Sequence, residues 1–184
     1  MPLSPTQLKS FTIPVVDISQ DSDRHTIVAQ GTETVYQGHP TTALLADGRT
    51  MVCVWTYEHG GACGPLKRSP DGGLTWSELL PVPDNWSEVR NCPSLYRLQA
   101  PDGAERLFVF AGGPETMRMA VSEDGGRTWS PYRDLGFRCV MAFCGIVPIE
   151  DGKRLLGLYH RRPGGDRMQV CQSLSGDGGL TWSD

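Results

Sequence analysis

The chain has 184 residues, 39% hydrophobic and 21% charged, which suits a soluble globular core and does not fit a disordered or low-complexity protein. A net charge of −4 supplies no basic field for a phosphate backbone or an anionic bilayer, which argues against nucleic acid and membrane as partners. Twenty-two Gly and 14 Pro imply many turns and short strands, and so an all-β chain.

The N-terminal residues 1–36 come first. Residues 1–14 carry a single lysine, Lys9, and no continuous apolar stretch, so they do not read as a secretory leader. No later run is long enough to span a bilayer. The expected setting is cytoplasmic, with an extracellular or periplasmic one left open.

Three units of similar layout follow. In the first, apolar runs at 42–45, 50–55 and 66–69 read as strands, with a turn at Asp47-Gly48. It ends in Ser69-Pro70-Asp71-Gly72-Gly73-Leu74-Thr75-Trp76. The second has runs at 94–98, 106–111 and 118–122 and ends in Ser122-Glu123-Asp124-Gly125-Gly126-Arg127-Thr128-Trp129. The third has runs at 144–149, 154–159 and 168–172 and ends in Ser175-Gly176-Asp177-Gly178-Gly179-Leu180-Thr181-Trp182. The motif starts at 69, 122 and 175, and a strict repeat of this length belongs to stacked or radially arranged blocks.

The residue types explain the motif. The aspartate caps nearby backbone N–H groups, the glycines take the positive φ of a tight turn, and Thr and Trp are expected to start a fourth strand. The indole covers apolar surface and finds a partner for its N–H.

The six cysteines form no CxxC pair and no zinc-type spacing with histidine, so neither a metal nor another cofactor is expected. Cys53, inside an apolar run, reads as a small buried hydrophobe. Reduced thiols are the plain reading, although in an oxidising compartment pairing and the sequon Asn85-Trp86-Ser87 would matter.

Three copies of S-x-D-G-G-x-T-W resemble the Asp boxes, or bacterial neuraminidase repeats, of the sialidase superfamily. The resemblance covers residues 37–184 and implies an all-β propeller with blades at about 37–89, 90–137 and 138–184, three four-stranded blades of an expected six. Residues 1–36 would then supply a strand closing the ring. It also implies that the boxes lie on the outer rim, so Asp71, Asp124 and Asp177 are read as structural.

The site implied by the family is a central pocket in which three arginines hold the substrate carboxylate. An acid/base Asp and a Tyr nucleophile with a Glu partner complete it. Guanidinium forks match carboxylate geometry, and a neutral tyrosine avoids repulsion by an anionic sugar. Here the family's Arg-Ile-Pro segment is replaced by Gly38-His39-Pro40, which leaves His39 as a candidate substrate ligand or a structural histidine. The loop expected to carry the acid reads Thr56-Tyr57-Glu58-His59-Gly60-Gly61, so Glu58 and His59 are the candidate proton carriers. Arg90 and Arg138, at the starts of the second and third units, are candidate substrate ligands, and the segment Tyr159-His160-Arg161-Arg162 is a further one.

The expected function is therefore a sialidase-like glycoside hydrolase of the exo-α-sialidase type acting on terminal acidic sugars. The 184 residues are expected to lack the nucleophile and to be inactive alone. The alternative is a non-catalytic propeller that binds glycan or protein. Three blades would leave apolar faces uncovered, which is expected of a truncated chain or of a homodimer of half rings.

Overall fold

The computed structural model describes residues 16–112, 116–164 and 166–183. They form ten strands in three antiparallel sheets, none closed on itself, with two short 3-10 turns and no α-helix. The first sheet holds β1 (Gln37–Leu44), β2 (Met51–Tyr57) and β3 (Cys63–Ser69). The second holds β4 (Ser94–Gln99), β5 (Glu105–Gly112), β6 (Thr116–Ser122) and β7 (Arg133–Arg138). The third holds β8 (Gly145–Ile149), β9 (Arg154–Arg161) and β10 (Gln169–Ser175). Each sheet is a meander in chain order.

Burial follows from sequence strand by strand. Residues 107–112 of β5 are buried on both faces, because the second sheet lies between the other two. In β9 the buried residues alternate, with Leu155, Gly157 and Tyr159 inward, so only one face is covered. Two apolar cores result. One joins the first and second sheets through Val52, Val54, Leu66, Leu95 and Val109. The other joins the second and third through Phe108, Phe110, Met119, Phe143 and Tyr159.

Three expectations need correction. The fourth strand is complete only in the second sheet, as β7. Residues 77–80 make just two backbone bonds to β3, from Ser77 N to Arg68 O and from Leu80 N to Leu66 O, each 2.9 Å, with the Ser77 hydroxyl accepting from Arg68 N at 3.1 Å. The Thr-Trp pair does not start that strand; β7 begins at Arg133, after Trp129, because Thr128 is held back against Asp124. Residues 16–36 contain one 3-10 turn (Ser22–Arg24) and no strand, and the part of the closing strand expected within 1–15 lies outside the described residues.

The three boxes close in the same way. The Asp71 carboxylate accepts from the Thr75 amide (2.9 Å), the Thr75 hydroxyl (2.6 Å) and the Ser69 hydroxyl (2.8 Å), while Ser69 Oγ accepts from the Gly73 amide at 2.8 Å. Asp124 and Asp177 repeat this with Thr128 and Ser122, and with Thr181 and Ser175. Trp76 and Trp182 donate to Gly73 O and Gly179 O at 3.0 and 2.9 Å. Trp129 departs from the expectation, since its buried Nε1 has no acceptor among the described residues. Its ring instead meets Trp86 edge-on at 5.5 Å, and Trp86 comes from a 3-10 turn (Asp84–Glu88) seated in the first core.

The two glycines of each box hold φ between 71° and 99°, and in two boxes they also set how sheets meet. Ser69, Ser122 and Ser175 pair with Met51, Leu107 and Leu155, so Val52, Phe108 and Leu156 occupy one equivalent place. A Cβ on Gly126 would lie 2.6 Å from Val52 of the first sheet. On Gly179 it would lie 2.7 Å from Leu98 and 3.3 Å from Phe108 of the second. Each later box is thus seated on the sheet before it, and an arginine of that sheet ties it down: Arg68 donates to Gly125 O at 3.2 Å, and Arg133 donates to Leu180 O. For Gly72 of the first box, no described residue lies within 4 Å of where a Cβ would stand.

Two outcomes are expected. Gly72→Ala costs only the left-handed backbone, about 1–2 kcal/mol, whereas Gly126→Ala adds an overpacking cost of about 1–3 kcal/mol; denaturation midpoints of the two variants measure the difference. The acid limb is the second. Asp71 is held at about 2, below its ordinary 3.8, by the Thr75 hydroxyl and amide. Burial raises Asp124, but the Thr128 and Ser122 bonds outweigh it and bring that group also to about 2. Because the folded values are depressed, the stability these caps give is complete above about pH 4 and is lost as pH falls towards 2. Thermal unfolding between pH 5 and 2 should show that loss, and Asp71→Asn with Asp124→Asn should flatten it.

Candidate functional site

The boxes sit at the end of each sheet where the second strand begins. At the opposite end the connecting segments of all three sheets converge. The tie is backbone pairing between 61–63 and 89–91. Cys63 N donates to Val89 O at 2.8 Å, Asn91 N donates to Gly61 O at 3.2 Å, and Ala62 and Arg90 form an isolated bridge.

Asn91 holds the junction. Its φ of 83° turns the chain out of that pairing into β4, a conformation that asparagine tolerates better than most residues. Its Nδ2 donates to Val140 O at 2.9 Å, and its carbonyl accepts from the Cys63 thiol at 2.8 Å. A Cβ on Gly112 would come within 3.3 Å of Asn91 Nδ2 and of Val140 O, so a side chain there would crowd the link. On the far side Val140 N donates to His160 O at 2.9 Å, which carries the chain of contacts into the third sheet.

These contacts enclose an open hollow of about 550 Å3 lined by Gly60, Arg90, Asn91, Gly112, Cys139, Val140 and Arg162. All three sheets contribute to it. Arg90 and Arg162 supply two guanidiniums and none of the described lining residues is a carboxylate, so this lining favours an anion. Among the described residues neither arginine forms an ion pair. Cys139 is buried, which pushes its thiol up to about 11 and leaves it neutral at physiological pH.

The other candidates divide into groups. His39 stands in a bulge of β1 between Gly38 and Thr41 with φ 50°, directly before Pro40, and Glu58 follows β2 with φ 64°. The two kinked segments meet because a Cβ on Gly38 would lie 2.6 Å from Glu58 O. The Thr56 hydroxyl lies between them, 3.2 Å from Gly38 O and 2.9 Å from Glu58 O. His39 Nε2 and His59 Nδ1 are 2.8 Å apart, with ring centroids at 4.6 Å, so at least one of those nitrogens carries no proton.

Glu58 is turned elsewhere. Its Oε1 accepts from Tyr36 N at 3.1 Å, and its side chain lines a second hollow of about 430 Å3 formed with residues 31–37. Arg138 ends the edge strand β7 opposite Thr116 and does not line the arginine hollow, although its neighbour Cys139 does. The structure therefore brings His39 to His59 and Arg90 to Arg162, and it separates Glu58 and Arg138 from the Arg90 hollow. Asn91 was not singled out from sequence; the one local signal is an asparagine between Arg90 and Cys92-Pro93, where the chain must turn sharply into a strand. Among the described residues no cluster of three or more His, Cys, Asp or Glu has the geometry of a metal site.

The sequence matches no protein-family model and no curated protein. Among solved structures, a protein of unknown function from Dyadobacter fermentans DSM 18053 is similar over 78% of this chain, with 21% identity and a TM-score of 0.48. The match covers 36% of that protein, so this chain spans about a third of its length.

Replacing Asn91 checks the junction. Asn91→Gly keeps the positive φ but removes the bond to Val140, and should destabilise the fold by about 1 kcal/mol, as for a typical hydrogen bond. Asn91→Ala should cost more, because alanine tolerates that backbone poorly. Urea unfolding of both variants gives the comparison.

Proposed function

We propose that the three sheets are consecutive blades of an Asp-box propeller of the sialidase type. The proposed parent protein is a sialidase-like glycoside hydrolase acting on terminal acidic sugars, and this chain holds the sugar carboxylate. One observation carries the reading: Arg90 and Arg162, from different sheets, line one hollow with no acid among its described lining residues. The repeated seating of each later box on the preceding sheet supports the propeller. Charge-assisted bonds from two guanidiniums fit a carboxylate, and their exposure makes the binding sensitive to salt.

In this reading His59 and Glu58 are the groups of the 57–61 turn able to carry a proton. Glu58 is engaged by Tyr36 N and faces the second hollow, and that observation favours a second reading, in which the propeller binds acidic glycan without cleaving it.

Titration with the methyl α-glycoside of N-acetylneuraminic acid, followed by ligand-detected NMR, tests the anion site. Arg90→Ala and Arg162→Ala should each weaken binding about tenfold or more, as expected for lost charge-assisted bonds. A neutral sugar should not compete. Equal binding by the double variant would sink the reading. In a protein that turns over an aryl sialoside, Glu58→Gln should lower the rate by about a hundredfold if Glu58 is the proton donor; an unchanged rate assigns that role elsewhere.

A further inference from the structure

The fourth strand stops short in the first unit because of two prolines, and a hollow opens where it would have run. Ser69 and Ser122 hold the same place in their boxes, so Pro65 and Pro81 correspond to Arg118 and Asp134. In the second sheet Arg118 and Asp134 pair, and β7 runs on to Arg138. In the first, neither proline has an N–H to give, and the last backbone bond to β3 before residue 89 is that from Leu80 N to Leu66 O. Residues 82–87 stand off from β3, and the hollow between them measures about 600 Å3, lined by Tyr57, Pro65, Leu79, Leu80, Val82 and Pro83 among others.

Its outer wall is fixed. Leu80 and Val82 pack on the first core, Asn85 Nδ2 donates to Tyr132 O at 2.9 Å, and Trp86 Nε1 donates to Ser130 O at 3.1 Å. The hollow is therefore preformed, as sites for small ligands usually are. Leu79 and Tyr57, 51% and 39% exposed, keep apolar surface in water there. The one carboxylate among its described lining residues is the exposed Asp84, which disfavours a second anion, so the lining suits an uncharged apolar group.

Its position shows what that group would be attached to. Ala62 and Arg90 pair as an antiparallel bridge, so their side chains stand on the same face of the ribbon. Ala62 lines the apolar hollow and Arg90 the arginine hollow, so the two adjoin across one residue pair, about 5 Å wide. We propose that the apolar hollow receives the aglycone of the acidic glycoside whose carboxylate Arg90 and Arg162 hold, so that the ligand is amphiphilic, an acidic sugar carried on an apolar group. In an α-glycoside of N-acetylneuraminic acid one carbon bears both the carboxylate and the glycosidic oxygen. An aglycone therefore starts beside the guanidiniums, at the edge of the apolar lining. The inference rests on the reading of the arginine hollow given above.

Ligand-detected NMR titration of the 184-residue chain with the methyl and octyl α-glycosides of N-acetylneuraminic acid tests it, the octyl compound being kept below its micellar concentration. The octyl glycoside should bind about tenfold tighter or more, as burial of two methylenes gives. Gly64→Leu fills the hollow, because Gly64 lines it and no described residue lies within 4 Å of where a Cβ would stand. That variant and Leu79→Asp should each bring the octyl glycoside down to the affinity of the methyl one, which stays unchanged. Arg90→Ala should weaken both glycosides. Equal affinities in the wild type, or an octyl advantage that survives both Gly64→Leu and Leu79→Asp, overturn the aglycone site and leave the carboxylate site standing. Octyl β-glucoside bound as tightly as the octyl sialoside also overturns it, since the apolar hollow would then act without the arginines. Binding of neither sialoside sinks the reading beneath it as well.

Discussion

Two glycines in each box must hold left-handed backbone, and in the second and third boxes they must do so against the flank of the preceding sheet. The two requirements reinforce each other. Positive φ disfavours any side chain with a Cβ, and the missing Cβ is what lets the turn approach Val52 or Leu98 so closely. The aspartate completes the device locally, by tying the turn to its own Ser and Thr without help from elsewhere. A turn that is stable by itself and flat on one side is a stacking element. Repeating it in register gives sheets that lie on one another in chain order, which is why β5 in the second sheet is buried on both faces and β9 in the third on only one.

The same stacking determines what happens at the other end of the strands. Once adjacent sheets are seated at the box end, residues 61–63, 89–91 and 139–140 are brought together, and Asn91 binds Gly61, Cys63 and Val140, whose own amide reaches His160 of the third sheet. Arg90 needs no special packing to reach the hollow, because its backbone is fixed by the bridge to Ala62. The hollow is therefore a product of the repeat: it has one contribution per sheet and exists only because the sheets are registered.

Local chemistry was legible in the sequence and tertiary choice was not. Strand positions followed from apolar runs, and the box turns from Asp-Gly-Gly, because both depend on neighbours in the chain. The Trp129 ring was misjudged for the opposite reason: it meets Trp86 at 5.5 Å and leaves its Nε1 without an acceptor among the described residues, whereas Trp182, packed on Phe143 at 4.5 Å, still donates to Gly179 O. Glu58 was rightly expected near the turn after β2, but whether its carboxylate faces Arg90 or Tyr36 N depends on the φ of 64° at that residue, which no spacing rule reveals. Asn85, read as a glycosylation acceptor, uses its amide on both sides of Tyr132, with Nδ2 to Tyr132 O at 2.9 Å and Oδ1 from Tyr132 N at 3.1 Å. A sequon carries no information about such a partner 47 residues away.

Charge is distributed along the strands in a way that net charge conceals. The box carboxylates are conspicuous in sequence, yet each is saturated by donors of its own turn and has little capacity left for a ligand. At the opposite end two guanidiniums share a hollow whose described lining residues include no carboxylate. A chain of net charge −4 therefore has a recess whose described charged side chains are both cationic. Stability and recognition are assigned to opposite ends of the same strands. Strain is tolerated at both: glycine absorbs it at the boxes, while at the recess end His39, Glu58 and Asn91 hold positive φ with a side chain attached, each over-determined by contacts from a neighbouring segment.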